Sequence, residues 1–143
     1  MNKAFYYKLL QIIIIVVILT VVAISLFRGY REPKVTVSSE SFNVQSPWSI
    51  TVPVADIASA DTISWKEMPI ITLRTNGISL LGVNRGRFNT ENGNNVWLSV
   101  KSGVSPVIQI VDKNGKTYYL NRKNPDETRN IFYLLTNYLK DRK

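Results

Sequence analysis

"RTNGISLLGVNRGRFN", Arg74 to Asn89, sets three arginines and three glycines among apolar residues. Such a stretch reads either as a glycine-rich loop that cradles an anion or as a bent piece of β-scaffold. If Ile78 to Phe88 is extended, Ile78, Leu80 and Phe88 share one face with Gly82 and Gly86. Arg85 and Arg87 then share the other face, about 7 Å apart. Glycines on the core face let a strand bend or another backbone come close, as small barrels need at their corners. The stretch is therefore scaffold first, and only the outward arginine pair keeps the anion question open.

The next strand, "NVWLSV", supplies Val96, Leu98 and Val100 to the inward face and leaves Trp97, Ser99 and Lys101 outside. Hairpin pairing sets Trp97 beside Arg85 or Arg87, and a guanidinium over an indole is worth about 0.5–1 kcal/mol at an exposed site. Arg85, Arg87, Trp97 and Lys101 thus form the candidate contact for an anion, an anionic lipid or a protein partner. The plainer alternative is a solvated strand whose arginines discourage edge-to-edge association. Arg74, outward on its own short strand, joins that patch or stands alone.

Outward from this centre the same pattern recurs. "WSITVPVADI" puts Ile50, Val52 and Val54 on one face, with Pro53 marking an edge or bulge. "PIITLRT" alternates Ile71 and Leu73 against Thr72 and Arg74. "NTENGNN" carries the turn dipeptide Asn92-Gly93, and Glu91, its only carboxylate, is too little for a calcium loop. "PVIQIVDKNGKTYYLN" reads as two strands joined at Asn114-Gly115, a dipeptide suited to two-residue hairpins. Short strands separated by turn chemistry predict an antiparallel barrel or sandwich, mainly β.

The end of the chain changes character. In "NPDETRNIFYLLTNYLKDRK", Asn124 caps a helix and Pro125 fits its first position. Asp126 and Glu127 suit the positive end of the dipole, and Glu127 completes a capping box. Ile131, Leu134, Leu135 and Tyr138 form an apolar stripe, widened by Phe132, Tyr133 and Leu139. That width fits either core packing or a partner surface. Lys140, Arg142 and Lys143 close the helix.

At the other end, "LLQIIIIVVILTVVAISLF", Leu9 to Phe27, has no charge. As a helix it spans about 28 Å, close to the hydrocarbon thickness of a bilayer. Tyr6, Tyr7 and Tyr30 flank it where amphipathic rings favour headgroups, so it reads as a membrane span. A cleaved signal peptide is the rival, and the run is long for one. Residues 1–8 form a basic tail, 9–27 the span, 28–45 a polar tether and 46–143 the folded domain. Lys3 and Lys8 precede the span, while Arg28, Arg31 and Lys34 follow it. The basic start favours an uncleaved anchor with the domain on the extracytoplasmic side.

"GVNRGRF", "NGNNVWLSV", "PVIQIVDKNGKTYYLN" and "NPDETRNIFYLL" together resemble the bacterial PH-like domain family of small membrane proteins. The family pattern is a glycine, three residues, a second glycine, one residue and phenylalanine, then a strand pair and a helix opening with Pro-Asp/Glu. Here those positions are Gly82, Gly86, Phe88, Pro125 and Asp126. The resemblance covers Trp65 to Leu139, and more loosely Ser46 to Ser64. It implies a PH-like barrel with one C-terminal helix behind a membrane span, and no established ligand.

Catalysis has little to draw on. With no histidine and no cysteine, the usual proton shuttle, thiolate nucleophile and soft metal ligands are absent. A serine-lysine peptidase, which also joins a span to a β-rich domain, needs serine directly before Met-x-Pro. In "SWKEMPII" that place is Glu67, with Ser64 four residues before Met68. No metal or cofactor is expected. The formal charge of +8 is spread along the chain, which argues against nucleic acid and leaves the bilayer, an anionic lipid, a protein partner or a second copy as partners.

Overall fold

The computed structural model describes residues 2–142. Lys143, expected to end the terminal helix, and Met1, in the basic tail, lie outside the described residues. The chain forms two compact units, Met1–Arg31 and Glu32–Lys143.

The first unit is one helix, α1, Lys3–Tyr30. It takes in most of the expected basic tail and runs beyond the expected span at both ends. Asn2 caps it by accepting from the Ala4 N–H. The Thr20 and Ser25 hydroxyls donate back to the Val16 and Val21 carbonyls at 2.8 Å. Those polar atoms are satisfied within the helix, as an apolar medium requires. The helix is long and apolar enough to cross a membrane.

Among the described residues, the second unit holds nine strands and one long helix. They are β1 Lys34–Val37, β2 Ser41–Gln45, β3 Ile50–Pro53, β4 Ile57–Ile63, β5 Ile71–Leu80, β6 Val83–Thr90, β7 Asn95–Lys101, β8 Val107–Asp112, β9 Thr117–Leu120 and α2 Pro125–Asp141. One sheet has the order β1-β2-β3, the other β4-β8-β9-β7-β6-β5. No barrel closes, because β4 and β5 remain as edges of the larger sheet. The arrangement also departs from the expected antiparallel pattern at β7 and β9, which run parallel. The chain leaves β7 for β8, two places away, and β9 returns into the gap. With α1 and α2 included, helix and strand content are roughly equal, so the chain is mixed α/β and not mainly β.

The expected continuous strand Ile78–Phe88 is instead a hairpin. Leu80 pairs with Val83, and the two residues between them, Leu81 and Gly82, have φ of 48° and 77°. Two successive positive φ values are what a two-residue hairpin turn demands. Gly82 is therefore a turn residue and not a core-facing one. Gly86 sits directly opposite Gly77, and a Cβ on Gly86 would lie 2.2 Å from the Asn76 carbonyl oxygen. Its role is close backbone approach. Thr72 and Thr75 are skipped in the β5–β6 register, and their hydroxyls donate to the Asn89 and Arg87 carbonyls. These bulges interrupt the exposed edge of β5 and so blunt it against strand addition.

Both faces of the larger sheet are covered. On one, Trp97, Ile108, Ile110 and Leu120 pack against Phe42, Val44 and Val52 of the smaller sheet and Leu135 of α2. On the other, Phe88, Val96, Leu98, Val100, Val107 and Tyr119 form a second cluster under Trp65, Met68 and Ile71. That cluster contains Phe88 and all three inward positions expected for β7, Val96, Leu98 and Val100. The stretch expected as a tether contributes β1 and β2, with Phe42 and Val44 fully buried. Each such burial stabilises by about 1.5–3 kcal/mol, so the domain starts at Glu32 and not at residue 46.

The terminal helix starts as expected: Asn124 Oδ1 accepts from the Asp126 N–H, with Pro125 at the first position. Glu127 does not close a capping box, because it accepts from Arg122 instead. Leu135 is buried and Ile131, Phe132 and Leu139 pack beside it, whereas Leu134 and Tyr133 face water. The Asn114-Gly115 turn forms with Gly115 at φ 81°. Its loop is longer than two residues, since the Asp112 N–H donates to the Lys116 carbonyl across it.

Gly86→Ala should cost about 3 kcal/mol, as expected for overpacking against backbone that cannot yield. Gly93→Ala, where a Cβ meets nothing within 4 Å, should cost about 1 kcal/mol from its positive φ alone. Chemical unfolding of the two variants checks the difference, and equal losses would contradict the close approach.

Candidate functional site

The cleft with the most suggestive lining lies where β7 and β9 begin. Ser49, Ile50 and Thr51 at the start of β3 form one wall, and Arg87, Asn95, Trp97, Lys116, Thr117 and Tyr118 form the rest, around about 370 Å³. A neighbouring hollow adds Pro47, Trp48 and Asn76, and shares Arg87 and Trp97.

Two indoles join the sheets here. Trp97 Nε1 donates to the Trp48 carbonyl at 3.0 Å, and Trp48 Nε1 donates to Asn76 Oδ1 at 3.1 Å. Trp97 packs against Tyr118 with ring centroids 6.3 Å apart. These contacts fix the floor of the cleft, because an aromatic held at both its face and its N–H has little freedom left.

The charge on the walls has one sign. Arg87 and Lys116 line the cleft and no carboxylate does. Neither side chain makes a hydrogen bond or ion pair with another described residue. The nearby Asp112 is already committed: Oδ1 accepts from the Asn114 and Lys116 N–H groups and Oδ2 from the Tyr118 hydroxyl. That turn presents Lys116 to the cleft without neutralising it. Burial raises the Tyr118 pKa above its ordinary value, the Asp112 carboxylate adds to the rise, and the Arg87 charge partly opposes it. Tyr118 is accordingly a neutral hydroxyl at physiological pH.

Of the four residues expected as an outward patch, the cleft brings two together. Arg87 is exposed and lies directly opposite Trp97, but no cation–ring contact forms between them. Trp97 and Arg85 are each only 5% exposed, because the face assigned to water is the one the smaller sheet covers. Lys101 is at the far end of β7, where its Nζ donates to the Leu81 carbonyl at 2.6 Å. The single outward patch of Arg85, Arg87, Trp97 and Lys101 is therefore not formed. Trp48, Asn76, Lys116 and Tyr118 join the site instead. Lys116 could have been found from its place just after the Asn114-Gly115 turn, whereas nothing local connects Trp48 to Trp97. Ser64, weighed as a nucleophile, caps a short helical turn: its N–H donates to Glu67 Oε2 at 2.6 Å.

No family model, curated protein or solved structure matches the chain.

Tyr118 and Tyr119 both have raised pKa values, each chiefly from burial. A group whose folded pKa is raised contributes stability that is present below its unfolded pKa and lost as pH climbs through the folded one. The domain should lose stability above pH about 10, where free phenols ionise. Unfolding midpoints across alkaline pH should fall less steeply in Tyr118→Phe and Tyr119→Phe; unchanged slopes would contradict the coupling.

Proposed function

We propose that the chain is a single-pass membrane protein whose second unit is a non-catalytic, PH-like interaction module. On this reading the Arg87 cleft takes an anionic group, such as an acidic side chain, of a soluble protein partner. The observation that carries it is the pair of cations, Arg87 and Lys116, beside a preformed aromatic floor with no carboxylate among the lining. Two such charges repel unless an anion joins them, and a partly enclosed site strengthens the attraction to one.

The PH-like reading is supported by the strand-rich body, the C-terminal helix packed on it through Leu135 and the anchor that precedes them. The open sheets and the parallel β7–β9 pair are departures from it. Lys3 and Lys8, ahead of the apolar run, give α1 the look of an uncleaved signal-anchor, which places the domain on the extracytoplasmic side, while the count of flanking cations, two before the run and three after it, favours neither side. Headgroup binding by one flat patch is the weaker reading, since Lys101 and Arg87 lie at opposite ends of the β6–β7 ladder.

Both cleft indoles are emitters, so intrinsic fluorescence reports binding. Full-length protein in neutral-lipid nanodiscs, titrated with a glutamate-rich peptide, should show a saturable change that salt weakens. Arg87→Gln combined with Lys116→Gln should reduce affinity at least tenfold, the scale of about 1.4 kcal/mol. No response, a response that survives the double substitution, or one that appears only when the nanodisc lipid is anionic would contradict the proposal.

A further inference from the structure

We infer that the β5–β6 hairpin tip, Leu80-Leu81, is a second membrane contact that enters the interfacial layer of the bilayer carrying α1. The inference rests on the reading of α1 as a membrane span. Leu81 is 74% exposed and Leu80 37%. Leu81 also holds φ 48°, a conformation that favours asparagine, aspartate or glycine in such turns. Leucine there is unfavourable twice, to the backbone and to water, and nothing in the domain compensates it by burial.

The location of the tip supplies the occupant. Lys101 Nζ donates to the Leu81 carbonyl and the Ser102 N–H donates to the Gly82 carbonyl at 2.7 Å. The Asn121 side chain then bonds both the N–H and the carbonyl of Lys101. The next residue, Arg122, donates to the Pro33 carbonyl and pairs with Glu32 at 3.3 Å. The Lys123 N–H donates to Glu32 Oε1 at 2.7 Å. The hairpin tip thus belongs to the end of the domain where the chain enters. Only Arg31, Glu32 and Pro33 separate α1 from β1, a stretch that reaches at most about 14 Å from Tyr30 to Lys34. Chain connectivity therefore holds Lys34, at the start of β1, within that reach of Tyr30. An apolar tip with Lys101 beside it matches the interfacial layer, which accepts aliphatic groups below and ammonium groups at the phosphates. The Arg87 cleft, at the opposite ends of β7 and β9, is left open to solution.

The chain has no cysteine, so introduced thiols label uniquely. Full-length protein carrying a fluorophore at Ser79→Cys, Asn92→Cys or Val16→Cys is reconstituted in neutral-lipid vesicles with nitroxide-headgroup or nitroxide-chain lipids. Ser79→Cys should be quenched by headgroup nitroxide several-fold more than Asn92→Cys, which sits on the opposite hairpin. Adding Leu81→Asn, which suits the turn, should remove most of that quenching without lowering thermal stability. Equal quenching at positions 79 and 92 with Val16→Cys still quenched by chain nitroxide would overturn the tip contact alone. An unquenched Val16→Cys would overturn the span and the tip together.

Discussion

The Arg122 guanidinium holds the entry of the domain. It reaches Glu32, the Pro33 carbonyl and Glu127 at once, and so ties the first residues of the domain to the end of β9 and the first turn of α2. At 18% side-chain exposure it is better shielded than an ordinary surface pair, which contributes about 0–1 kcal/mol. With Glu32 also accepting from the Lys123 N–H, Glu32 and Pro33 are bonded into the domain.

From the clamp the rest of the architecture sorts itself by ends. β7 and β9 run in the same direction, so both carry chain from the cleft toward the entry. Asn121 then stitches that end by bonding Lys101 and the Val104 carbonyl. The other end is set by Trp97 and Trp48, whose hydrogen bonds join the two sheets. One end is thereby rich in backbone-directed bonds around an exposed apolar tip. The other is an aromatic floor beneath two cations with no acidic partner.

Several of these features were legible in the residues themselves. The charge-free run before Arg28 forms a single helix, Asn124 and Pro125 start α2, and the parity of Val96, Leu98 and Val100 is that of a buried face. Other features depend on tertiary structure. Phe42 and Val44 alternate correctly for a strand, but the serine-rich text around them reads as linker. Leu81 hides a hairpin turn because leucine is not a turn residue. The alternation of Arg85, Arg87 and Trp97 against Phe88 identifies two faces, yet only the stacking of a second sheet shows that neither face is wholly solvent. The cleft joins residues 48, 87, 97 and 116, and no local pattern links separations of that length.

The central proposal is that the Leu80-Leu81 hairpin tip is the part of the domain that meets the membrane. The most direct measurement is paramagnetic relaxation of backbone amides in full-length protein held in nanodiscs containing a gadolinium-chelating headgroup lipid. The account predicts relaxation that is strongest at Val83 and declines steadily along β6 to Thr90. A flat profile, or one strongest at Thr90, would contradict it.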